Sequence, residues 1–173
     1  EYGGSLANRM RFVLEVFDAV RAAVPASVPV WLRLSATDWV EGGWDLPSTI
    51  TLGHELKACG CAALHISSGG VSPLQKISLG PGYQVFLAEA VKSAVGLPTI
   101  AVGLITDAEQ ADAIVHTGKA DAVAIARAML YNPRWPWHAA AKLGAQVPGP
   151  PQYWRCQPRE LKDLFLNASF GQR

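Results

Sequence analysis

A chain of 173 residues, half of them hydrophobic and 17% charged, can bury a substantial single core and is too apolar to stay disordered. Its net charge of +1, with no block of Lys or Arg, leaves no electrostatic footprint for nucleic acid. No apolar run approaches the ~20 residues of a membrane span and no secretory leader is visible, so the chain reads as cytoplasmic and off the membrane.

Cys59, Cys61 and Cys156 form an odd set without metal-ligand spacing; they read as reduced thiols, and no metal site is expected. Ser5 is placed to cap a first helix whose apolar positions Leu6, Met10, Val13, Phe17 and Val20 recur at steps of three and four. That helix stops near Pro25. The run "VPVWLRLS" follows as a strand, and a second helix runs from about Ser48 to Cys59. Three later stretches then share one pattern: "LKACGCAALHISSGG", "VKSAVGLPTIAVGLITD" and "IVHTGKADAVAIARAM". Each is a helix tail, a glycine, a short apolar run and a polar or glycine-rich break. Gly60, Gly96 and Gly118 stand where a helix ends in a left-handed residue. The apolar runs read continuously hydrophobic, as parallel strands covered on both faces do. Helices are also expected over "GYQVFLAEAVKSAVG" and "AEQADAIVHTG", then near Ala128–Tyr131 and Trp135–Leu143.

Strict alternation of helix and strand predicts an α/β fold with a parallel sheet. Four strands fit either a small open sheet or part of an eight-stranded barrel. In both, ligands gather at the C-terminal strand ends. Arg33 sits inside the first strand, where it either pairs with a core carboxylate or meets an electron-rich ligand. His65, within the second strand, reads as a packed core histidine. Ser67, Ser68, Gly69 and Gly70 offer hydroxyls and open N–H groups at its end. Gly103 after the third strand lets backbone approach a ligand, and Thr106 or Asp107 can cap the next helix. Arg127 follows the fourth strand at a helix start. A glycine break and then an arginine are what a barrel places after strands seven and eight to hold phosphate. The four strands therefore read as numbers five to eight of a (β/α)8 TIM barrel.

The motifs "EYGGSLANRMRF", "LRLSATDWVEGGW", "HISSGG", "GPGYQV", "AVGLITDAEQA", "ARAML" and "PQYWR" resemble the Old Yellow Enzyme family of FMN-dependent ene-reductases, and within it the bacterial, YqjM-like branch. The resemblance covers essentially the whole chain. It implies that residues 1–173 are the C-terminal half of one FMN-binding TIM-barrel domain, with 145–173 as an extended tail. By position, Arg33 matches the arginine at flavin N1 and the C2 carbonyl, where its charge stabilises the reduced flavin. Ser67 and Gln84 match polar residues near the cofactor. Gly103 and Leu104 match backbone donors to the FMN phosphate. Ala126 and Arg127 match a Gly-Arg pair at that phosphate, with alanine replacing the usual glycine; the exchange costs little unless the backbone there needs a positive φ. Arg155 matches an arginine that reaches a neighbouring subunit's active site, and Tyr153 lies beside it.

The family's substrate-binding His pair, proton-donating Tyr and flavin-tuning Cys lie in its first half, so the resemblance assigns no catalytic residue to this stretch. It implies NADPH or NADH as hydride donor, a small enone-type substrate, a missing N-terminal half-barrel as partner, and a dimeric or tetrameric full enzyme. Two alternatives are a non-enzymatic half-barrel that self-associates and another FMN- or phosphate-binding barrel enzyme, against which "YGGSL.NR" and "PQYWR" speak.

Overall fold

The computed structural model describes residues 1–169. In chain order it holds α1 (Leu6–Ala23), β1 (Leu32–Ser35), α2 (Leu46–Ala58), β2 (Leu64–Ser67), α3 (Val85–Val95), β3 (Thr99–Val102), α4 (Ala108–His116), β4 (Ala122–Ala124), α5 (Arg127–Tyr131), α6 (Trp135–Lys142) and a 3-10 turn over Pro151–Cys156. The chain forms two compact units, residues 1–105 with 114–124, and residues 106–113 with 125 onward.

In the first unit, Ser5 caps α1 by accepting from the Asn8 N–H at 3.3 Å, and Met10 and Phe17 carry the buried face. Val24 turns extended, as the residue before a proline must. Helix α2 starts two residues before Ser48, because Asp45 is its cap: its carboxylate accepts from the Ser48 N–H at 2.9 Å, and Pro47 fits the first turn. Gly96 closes α3 at φ 69°.

The sheet is wholly parallel in the order β1-β2-β3-β4. One row across it runs Arg33, His65, Ile100, Ala122. Phe17, Leu52, Leu56, Leu64, Ile66, Leu87 and Val91 fill the layer between one sheet face and the helices. The expectation of strands covered on both faces holds only for β2, which is buried at all four positions. On the other face Arg33 and Ala122 are exposed and Trp31 is 51% exposed. A continuous apolar run does not by itself report whether anything covers its second face.

Asp121 ties β3 to β4. Its carboxylate accepts from the Thr99 N–H at 2.8 Å and meets Lys92 at 3.0 Å, while its own N–H donates to the Thr99 carbonyl at 2.9 Å. The Thr99 N–H, then Lys92, hold this carboxyl below the usual value of 3.8. A depressed carboxylate contributes stability above its unfolded pKa and loses it as pH falls through the folded one. Asp121→Asn is therefore expected to cost about 1 kcal/mol at neutral pH, a modest figure because solvent screens the half-exposed pair. The difference from the parent should close below about pH 4, read by urea denaturation across pH.

In the second unit, Asp107 caps α4 by accepting from the Gln110 N–H at 3.2 Å, and Lys142 joins it at 2.6 Å and also pairs with Glu109. Lys142 first, then the Gln110 N–H, pull the Asp107 carboxyl down to about 2. Ala140, Leu164 and Phe165 form a small core with Trp137, Val147, Trp154 and Leu161 around it. The chain after α6 is extended at Val147, which bridges to Phe165. No helix among the described residues is long and apolar enough to cross a membrane.

Candidate functional site

The C-terminal end of the sheet in the first unit gathers most of the predicted site residues. Strand alternation sends Trp31, Arg33 and Ser35 to the open face, and the register sets Arg33 beside His65. Arg33 Nη1 lies 3.1 Å from His65 Nε2 and 3.5 Å from Nδ1. Imidazole lone pairs lie in the ring plane, so a nitrogen this near both ring nitrogens sits over the ring face rather than along one lone pair. The imidazole is 7% exposed, and burial, then the Arg33 cation, push it below the usual histidine value. Among the described residues no carboxylate pairs with Arg33. Of its two predicted roles, the core ion pair is thus not the one the structure takes.

At the next level Ser67 is buried, and its hydroxyl donates to the Leu34 carbonyl at 3.0 Å. Gln84 is 4% exposed and spends its amide on the fold: Oε1 accepts from the Ser68 hydroxyl at 2.6 Å, and Nε2 donates to the Val102 carbonyl at 3.0 Å. That amide leaves α3 without a side-chain cap, and the helix starts one residue later, at Val85. Gln84 also presses on Gly103, where an added Cβ would meet Nε2 at 2.8 Å. Gly103 has φ 129° and Leu104 φ 51°, two consecutive positive-φ residues at the end of β3. Among the described residues neither of their N–H groups donates to a loop or capping hydrogen bond.

The loops after β1 and β2 are bound together above this floor. The Gly69 N–H donates to the Thr37 carbonyl at 2.8 Å, and the Lys76 N–H to the Trp39 carbonyl at 3.2 Å. Trp39 is left-handed at φ 57°, lies edge-on to Phe86, and its buried indole N–H has no partner among the described residues. Nothing in the sequence marks a tryptophan for that conformation; the glycine opposite it, Gly69, was legible.

The second unit holds the other four residues. Ala126 and Arg127 are exposed at the start of α5. Ala126 has φ −105°, so its alanine carries none of the strain that a positive-φ position would impose. Ala126→Gly is accordingly expected to lower stability by about 0.4–1 kcal/mol, through the added freedom of the unfolded chain, and not to raise it; thermal melts of the two proteins check this. Tyr153 stacks edge-on to Trp137 at 5.6 Å, with the Arg134 guanidinium 4.4 Å over its ring. Arg155 is exposed in the same turn.

Residues 1–146 match the NADH:flavin oxidoreductase / NADH oxidase family. The chain is 42% identical over 155 residues to an NADPH dehydrogenase of Geobacillus thermodenitrificans, covering 90% of this chain and 45% of that one. It is 37% identical over 150 residues to an NADH oxidase of Thermoanaerobacter brockii, covering 84% of this chain and 23% of that one. Among solved structures, 2-naphthoyl-CoA reductase in complex with 2-naphthoyl-CoA superposes with a TM-score of 0.71 at 26% identity, over 83% of this chain and 22% of that one. The chain thus spans less than half the length of these relatives. With its parallel α/β sheet and a sequence match over residues 1–146 of 173, it belongs to the NADH:flavin oxidoreductase / NADH oxidase family.

Proposed function

We propose that this chain supplies the flavin-holding strands, numbers five to eight of a (β/α)8 barrel, of an FMN-dependent ene-reductase. FMN and NAD(P)H are the cofactors of its family. The observation that carries the reading is Arg33: a guanidinium on an open sheet face, bound to no carboxylate among the described residues, in the same unit as the two positive-φ residues Gly103 and Leu104. Such a face fits a ligand with an electron-rich planar edge and an anionic tail.

FMN, when bound, would take hydride from NADPH or NADH and pass it to an alkene conjugated to a carbonyl or nitro group. On this reading Arg33 donates to the N1 and C2-carbonyl edge, and its charge favours electron density there. The Gly103 and Leu104 N–H groups donate to the phosphate. Ser67 and Gln84 act from behind, through the strand ends they tie down. Arg127 is assigned to the phosphate, and Arg155 with Tyr153 to a neighbouring subunit's substrate site, by the family pattern alone. The groups that orient the alkene and deliver its proton belong to the remaining barrel strands.

The test is a titration of the purified chain with FMN, followed by flavin fluorescence, alone and with the preceding barrel strands of a relative added. FMN binding, with enone reduction once those strands are present, supports the reading. Absence of binding in both conditions overturns it. A second reading, self-association through the open face, draws on the exposure of Trp31 and Arg33; light scattering separates it from the first.

A further inference from the structure

We propose that His65 is the positioning residue of Arg33: its ring is the surface against which Nη1 of the guanidinium rests, with the remaining donors left for a planar, electron-rich ligand on the open face. The inference deepens the flavin reading and rests on it for the ligand, though not for the pairing itself.

The register makes Arg33 and His65 neighbours on the same face, and the imidazole is held in place by burial. Trp31, two residues before Arg33, flanks the same ring at 6.3 Å. An exposed arginine with no anion to hold it samples many rotamers. An aromatic ring against Nη1 removes most of them while engaging one N–H, where a bidentate carboxylate would take two. The surface must be uncharged, since an imidazolium in that place would set two cations in contact.

The register and the ring contact set Trp31 and Arg33 of β1 and Ile100 of β3 beside His65, with Ser67 next along its own strand on the same face; among the described residues Arg33 is the charged one acting on it. Burial and Arg33 both favour the neutral ring, so the platform is intact at neutral pH. Acidification below the lowered His65 value would charge it and displace the guanidinium.

Two measurements on the full chain test this. In the first, the His65 ring and the Arg33 Nε–H are followed by NMR against pH without ligand. A shift of the Arg33 resonance at the His65 midpoint, abolished in His65→Phe, is expected. An Arg33 signal that stays flat through that midpoint would overturn the pairing. In the second, oxidised FMN is titrated at about pH 7.5 and about one pH unit below the His65 midpoint found in the first. The parent should bind about tenfold more weakly at the lower pH, the scale of one charge-assisted hydrogen bond. His65→Phe keeps a flat ring that takes no proton and should change less than about threefold. The FMN phosphate titrates equally in both proteins, so equal losses would overturn the platform role. No FMN binding by either protein at either pH would overturn the flavin reading and the ligand assigned here; the resonance result would still uphold or overturn the pairing.

Discussion

Replacing Gly103 with alanine should destabilise the first unit by about 3 kcal/mol, the largest loss expected from any single methyl group added at the sheet's C-terminal end. Two terms add. At φ 129° an L side chain is strained whatever the space around it. The new Cβ would also meet Gln84 Nε2 at 2.8 Å and its Cβ and Cγ at 3.2 Å. Amide ends usually yield, but this one is pinned to Ser68 and Val102, so moving it breaks two half-buried hydrogen bonds. Urea denaturation of Gly103→Ala, Gln84→Ala and the double variant separates the terms, because truncating Gln84 removes the Nε2 and Cγ contacts and leaves the backbone strain with the single Cβ contact. A loss below about 1 kcal/mol would show that the β3 turn relaxes freely and is no rigid cradle.

The sequence made some of this turn legible and hid the rest for definable reasons. The glycine at 103 marks a point where backbone can approach a ligand; its positive φ and the Gln84 side chain that a Cβ would meet are seen only in the fold. Leu104 shares the conformation at φ 51°, yet leucine carries no local preference for it; the turn imposes it. In "VPVWLRLS" the apolar pattern overran the strand, because Val28 donates back to the Pro25 carbonyl in a turn. The ladder itself starts at Val30, whose carbonyl accepts from the Ala62 N–H, before the regular strand opens at Leu32. His65 read as a core histidine and is one by burial. What alternation along one strand cannot disclose is its neighbour on the next, since register between strands is set by the whole sheet. The Arg33 platform is therefore a tertiary fact. The motif places Gln84 near the cofactor; what the motif does not disclose is that its amide also ties Ser68 to Val102.

Arg33→Met is the complementary case, with a large expected effect on binding and almost none on folding. Arg33 is exposed, ion-pairs with no carboxylate among the described residues, and lies on the face that the core does not use. Methionine keeps the apolar stem, so stability should stay within about 0.5 kcal/mol of the parent. On the proposed reading, FMN affinity should fall between about tenfold and a hundredfold, the worth of charge-assisted hydrogen bonds to the flavin edge. Arg33→Lys should recover only part of it, because a point charge cannot reproduce the planar fork or its stacking on His65. Riboflavin, which lacks the phosphate, distinguishes the two variants. Arg33→Met should weaken riboflavin and FMN alike, because its contact is with the ring. Gly103→Ala should weaken FMN more than riboflavin, because the proposed reading assigns its turn to the phosphate. If Arg33→Met instead cost several kcal/mol of stability and left flavin affinity untouched, the stack on His65 would be a structural brace and the cofactor assignment at this position would fail.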